Sequence, residues 1–224
     1  MIRAILFKEY CKIHRGWLAL FLLHLALLAY IFIDTRQLFV ADKAEMVWYQ
    51  LLHLGQIYYE PFKYLPVISG IIISLIQYLP EMRDERLRLS LHLPIAAHRL
   101  IFAHLTAGIL AIALLLLPDL LILTAISRIY FPPEICLLTL KTVTPWVLAG
   151  FASYLGGALT ILEPSIRLRL INAALGLGVS GLFLLSCRPG GYWPAIFLLL
   201  IPLLLMIPAA LLPAHNFRLR RSSK

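Results

Sequence analysis

The sequence predicts an all-α integral membrane protein that crosses a bilayer about six times, with both termini on the cytoplasmic side. Three observations carry that prediction. Apolar residues make up 61% of the 224-residue chain and charged ones only 14%, more apolar surface than a soluble domain of this size needs. Long apolar runs recur six times, each near the roughly 20 residues that span hydrocarbon as a helix. The polar remainder gathers between those runs, with Lys and Arg heavily biased to one side.

The elements follow in order. Residues 1–16 place Ile2, Leu6, Tyr10 and Ile13 on one helical stripe and Lys8, Lys12 and Arg15 on another, which predicts an amphipathic helix lying in the interfacial layer. The run Trp17–Ile33 has no small-x-small cleavage pattern after it and reads as the first span rather than a signal peptide. Residues 34–63 mix charges with the aromatic stretch MVWYQLLHLGQIYY, and Trp and Tyr favour the membrane–water interface, so a helix outside the bilayer is expected there. The second span covers 64–80. A short, strongly charged stretch, 81–98, leads to a long third span at 99–127, with a kink expected at Pro118. The fourth span, 137–162, carries Ala149, Gly150, Ala152, Ser153, Gly156 and Gly157, small residues that let membrane helices approach closely. The fifth and sixth spans, 168–186 and 194–213, complete a six-helix transmembrane domain over 17–213, and a basic tail, 214–224, follows.

Orientation comes from the cations. Arg3, Lys8, Lys12 and Arg15, then Arg83, Arg86, Arg88 and Arg99, then Arg167 and Arg169, then Arg218, Arg220, Arg221 and Lys224 fall on one side, fourteen in all. Arg36, Lys43, Lys63, Arg128, Lys141 and Arg188 fall on the other. The positive-inside rule puts the fourteen in the cytoplasm. The net charge of +9 and pI near 9.7 therefore point to anionic lipid headgroups rather than nucleic acid.

Polar residues inside the spans are few. His24 lies near the middle of the first span, where an ionisable side chain is a functional candidate by default, although a bond to a neighbouring helix is the plainer account. Asp119 falls near the outer end of the third span as a candidate pathway residue, with solvation as the plain alternative and Lys141 as a candidate partner. Gln77, His104 and Asn172 lie toward the cytoplasmic ends, where each can reach water or a carbonyl. Cys136 and Cys187 fall near outer ends of spans, where either a bridge or buried thiols would serve. Spacings for a metal site or an activated nucleophile are not found, so a non-catalytic chain without its own metal or cofactor is expected.

The charged stretch is the most informative. Glu81, Arg83, Asp84, Glu85, Arg86 and Arg88 crowd together before Leu87, Leu91 and Pro94. A short helix there, presenting Leu87 and Leu91 between charges, suits docking into a groove on a cytoplasmic partner, and a charged turn anchoring two spans is the alternative. The order of an amphipathic helix, a first span, an outer loop, a second span, this charged segment closed by Leu91-His92-Leu93-Pro94, and a long third span resembles the type-2 permease family of ATP-binding-cassette transporters. The nearest local match is Glu81-x-x-x-Glu85-Arg86; Leu87-Arg88 stands where the family has Gly-Thr or Gly-Ser.

The resemblance implies a transmembrane exporter subunit in a bacterial inner or plasma membrane, paired with a second copy or a homologous permease. It implies a coupling helix at Glu81 through Pro94 on which a separate nucleotide-binding ATPase docks. No phosphate-binding loop occurs in the sequence, so ATP and Mg are expected on that partner chain. A non-transporting anchor or scaffold subunit is the alternative function.

Overall fold

The computed structural model describes residues 2–83, 96–185 and 188–213, and among them every regular element is helical. The elements are α1 (Ile2–Ala41), α2 (Ala44–His53), α3 (Leu65–Arg83), α4 (Ala97–Tyr130), α5 (Pro133–Leu162), α6 (Ile166–Leu184) and α7 (Ile196–Ala209), with single 3-10 turns at Glu60–Phe62 and Trp193–Ala195. Six segments are long and apolar enough to cross a membrane: 3–41, 60–82, 98–130, 133–162, 166–184 and 193–213. Each of the six expected spans therefore has its helix.

The first segment departs from expectation. No break separates residues 2–16 from the first span; they are the opening turns of a single 40-residue helix, about 60 Å long at 1.5 Å per residue. The reason lies in the buried stripe. Glu9, Ile13, Leu20, His24, Leu28, Ile31 and Thr35 are all at most 5% exposed and recur at helical spacing. Of the apolar stripe read as interfacial only Ile13 joins this buried face, while Tyr10 stays 65% exposed; Glu9, not an apolar residue, is the inward position one turn earlier.

α5 is the central helix, with 61% of its apolar window buried against 17–22% for α1, α6 and α7. Its small residues explain why. Gly156 meets the backbone of Gly176 on α6, and Gly150 lies against Pro66 of α3, close enough that a side chain at either position has no room. Removing side chains from both walls lets backbones approach and gain dispersion contact, the main attraction available where lipid is as apolar as the helix surface. Leu121, Leu170, Leu177, Phe197 and Leu205 remain exposed on the outer faces, as lipid-facing residues would.

Side-chain contacts fix the directions. Trp17 Nε1 donates to the Ala111 carbonyl across 94 positions and His24 bonds Asp119 across 95, so α1 and α4 run parallel in constant register. Lys12 meets Glu81 while His24 meets Ser69, so α3 runs antiparallel to α1. The ends of α1 and α4 remote from the N-terminus are roofed by an aromatic cluster in which Phe39 stacks on Tyr130 and Tyr58 on Phe131. α4 continues as helix through Pro118 and α5 through Pro145.

Candidate functional site

Two buried polar clusters lie in the seam between α1, α3 and α4, one above the other. The upper one joins three helices through a single imidazole. His24 on α1 places Nδ1 2.6 Å from Asp119 Oδ2 on α4 and Nε2 2.7 Å from Ser69 Oγ on α3. His24 and Ser69 are wholly buried and Asp119 is 2% exposed. With the ring neutral, Nδ1–H donates to the carboxylate and Nε2 accepts the serine proton, which satisfies every polar atom the imidazole has. The two candidate pathway residues are therefore in direct contact. Asp119 is not a solvated carboxylate at the membrane surface, and Lys141 is elsewhere, over the Trp193 ring.

Carboxylate, imidazole and hydroxyl stand here in the order of a hydrolase triad. A nucleophile, however, needs space for a carbonyl about 3 Å from its oxygen and donors for the oxyanion. Ser69 has no exposed surface and lines none of the three principal cavities. In this packed state the group holds helices together rather than meeting a substrate.

The lower cluster is ionic. Lys12 Nζ lies 2.7 Å from Glu9 Oε1, 2.9 Å from Glu81 Oε1 and 2.9 Å from the Gln77 carbonyl. Lys8 adds a second cation 2.7 Å from Glu81 Oε1. His104 Nδ1 sits 3.1 Å from Glu9 Oε1, a close approach without the alignment of a hydrogen bond. Gln77 donates 2.7 Å to the His104 carbonyl and accepts from the Tyr154 hydroxyl at 2.8 Å, and Tyr78 and Tyr154 share a bond of 3.1 Å. Glu9, Gln77, Glu81 and His104 are at most 3% exposed. Four helices, α1, α3, α4 and α5, are thereby tied at one level. Both oxygens of Glu9 and Oε2 of Glu81 have no hydrogen-bond partner among the described residues, so Glu9 is held by its ion pair with Lys12, the cation it shares with Glu81.

Of the residues expected to couple to an ATPase, Glu81 is in this cluster, and Arg83 is the last residue of α3. Asp84, Glu85, Arg86, Leu87, Leu91 and Pro94 lie outside the described residues. Cys136 is a free, buried thiol, and Cys187 also lies outside them. Asn172 donates to the Leu159 carbonyl at 3.2 Å, as a polar group within a span should.

Glu9, Lys12 and His104 escaped the sequence reading as a site. The signal that finds them is a matched spacing: Glu9 and His24 are 15 residues apart on α1, and His104 and Asp119 are 15 apart on α4. Two parallel helices with equal polar intervals pair rung for rung, about 22 Å apart along the axis.

The fold and these clusters define a multi-pass helical membrane protein with an ionisable seam. Comparison with protein families, with curated proteins and with solved structures finds no match. Among the described residues no three His, Cys, Asp or Glu side chains gather into a metal site.

Proposed function

We propose that the chain is the transmembrane permease subunit of an ATP-binding-cassette exporter in a bacterial inner or plasma membrane, itself non-catalytic. It works as a pair with a second copy or a homologous permease, and its power comes from a separate ATPase that carries ATP and Mg and docks on segment 81–94. The positive-inside bias supports the orientation, with N-terminus, C-terminus and segment 81–94 all cytoplasmic.

The observation that carries the reading is the ion-pair cluster at Glu81. The charged segment leaves α3 at Glu81, which is ion-paired to α1 through Lys8 and Lys12, and returns into α4, where His104 lies 3.1 Å from Glu9 of α1. A force applied to 84–95 is thus delivered to three spans at once rather than to one flexible loop end. Packed helices joined in this way shift between discrete arrangements instead of deforming gradually. Glu81, being buried, anchors the docking segment, while Asp84, Glu85, Arg86, Leu87 and Leu91 meet the partner.

The test is affinity purification of the full chain from native membranes in mild detergent. A partner that hydrolyses ATP in the presence of Mg should accompany it, and Arg86→Glu should lose that partner while membrane insertion is unchanged. A wild-type preparation with partners but no nucleotide hydrolysis would transfer the reading to a scaffold subunit. Labelling of a cysteine placed at Ser90 from outside intact cells would invert the topology and remove the mechanism.

A further inference from the structure

We infer that the end of the molecule remote from the N-terminus carries a binding site for a phosphate-class anion, formed where the α6–α7 connection folds back onto α5. The site is a cavity of about 170 Å³. Three of its walls are cationic: Lys63, next to the 3-10 turn that precedes α3, Lys141 on α5, and Arg188 in the connection. One carboxylate, Glu60, shares the lining, so the cavity carries a formal surplus of two positive charges.

The local backbone shows why the cations converge. Gly190 adopts a φ of +74°, a conformation glycine tolerates and side-chain-bearing residues resist. Its N–H donates 2.9 Å to Thr142 Oγ1 on α5, and a Cβ at this position would sit 2.9 Å from Leu138 and 3.7 Å from Lys141. The turn is therefore pinned on α5, and Arg188 and Lys141 line one cavity. Lys141 is held with its ammonium 5.8 Å from the Trp193 ring, and Lys63 lies 5.5 Å from the ring of Tyr64. Both are aromatic contacts that favour a cation but leave its N–H donors free.

Among the described residues no ion pair joins Lys63, Lys141 or Arg188 to a carboxylate. Like charges gathered in a partly enclosed space repel, more strongly as water is excluded. An anion with several oxygens resolves that repulsion. Arg188 offers a planar fork of donors and the lysines offer compact point charges, the combination that suits a tetrahedral phosphate group. The buried Trp146 and half-buried Tyr192 supply an apolar wall for whatever carries the phosphate. A phospholipid headgroup and a soluble phosphate ester share this chemistry.

The experiment uses the full chain in neutral detergent and follows its thermal unfolding midpoint. Inorganic phosphate should raise the midpoint relative to chloride at equal ionic strength, in a saturable way. The Lys141→Gln and Arg188→Gln variants should each shift the half-saturating concentration upward by about tenfold, the loss of one charge-assisted hydrogen bond. Arg188 is exposed, so its variant folds whatever its effect on binding, and Arg188→Lys should restore part of the affinity. The same readout in phosphatidylcholine vesicles with and without phosphatidylglycerol separates the sources. Stabilisation by phosphatidylglycerol but not by free phosphate assigns a lipid headgroup, and stabilisation by free phosphate assigns a soluble ester. Equal midpoints in phosphate, chloride and both vesicle types overturn the site, as does a response that both variants retain in full.

Discussion

The two rungs of the α1–α4 seam solve one problem in opposite ways. The upper rung is a closed set of hydrogen bonds: Asp119, His24 and Ser69 use one another's polar atoms, and none is left over on the imidazole. The lower rung is a shared ionic cluster in which two buried carboxylates lean on a common ammonium and each keeps an unpartnered oxygen. Polar groups within apolar surroundings are expensive unless matched. The matched set acts as a clamp. The mismatched one leaves buried carboxylate oxygens unsatisfied, and it is the one that adjoins the segment proposed to receive force.

The comparison is broken most directly at Lys12. Lys12→Met removes the cation that two buried carboxylates share, and loss of about 3–5 kcal/mol is expected, as for other buried pairs deprived of one partner. Thermal exposure of the buried Cys136 thiol in a Cys11→Ser/Cys187→Ser background reports it, because Cys136 is then the one cysteine left in the sequence. An unchanged midpoint would show that the cluster carries no strain. Asp119→Leu comes second. It strands the His24 N–H, an unmet buried donor worth about 1–3 kcal/mol, whereas Asp119→Asn keeps an acceptor and should recover most of that loss.

Ser69→Ala sharpens the contrast, since a hydrogen bond between membrane helices averages about 0.6 kcal/mol. The same variant also tests chemistry. A serine-directed fluorophosphonate should label wild type and Ser69→Ala equally, and selective labelling of wild type would mean that the upper rung opens to substrate. The smallest effect belongs to Lys8→Met. Its side chain is 46% exposed, so its pair with Glu81 is screened and worth less than about 1 kcal/mol. Should Lys8 and Lys12 prove equivalent, burial is not what separates the two lysines.

Hydropathy made the six spans legible because each lipid-facing helix must be apolar along its length, a constraint local to the sequence. The small-residue face of α5 was equally legible, since Gly150 and Gly156 have no purpose on a lipid-exposed surface. The continuity of α1 was not. Lys8, Lys12 and Arg15 mark a polar stripe in any setting, and only the partner helices reveal that Glu9 and Ile13 face inward. Asp119 was misplaced for a related reason. Counting residues from the start of a span estimates depth, but burial against a histidine 95 positions away depends on register between helices, which no local pattern encodes. The matched interval of 15 residues on α1 and α4 acquires meaning only once those helices are known to be parallel.

That α1 precedes α3 and α4 has a consequence for biogenesis. Every residue that completes its two polar rungs, Ser69, Gln77, Glu81, His104 and Asp119, is translated later, the last of them in the third span. During synthesis the nascent helix carries the Glu9–Lys12 pair but holds His24 without its mates until α4 emerges. An insertase or chaperone that shelters a lone polar helix would therefore act on this protein early, and a chain truncated before Asp119 should be recognised by membrane quality control as unfinished.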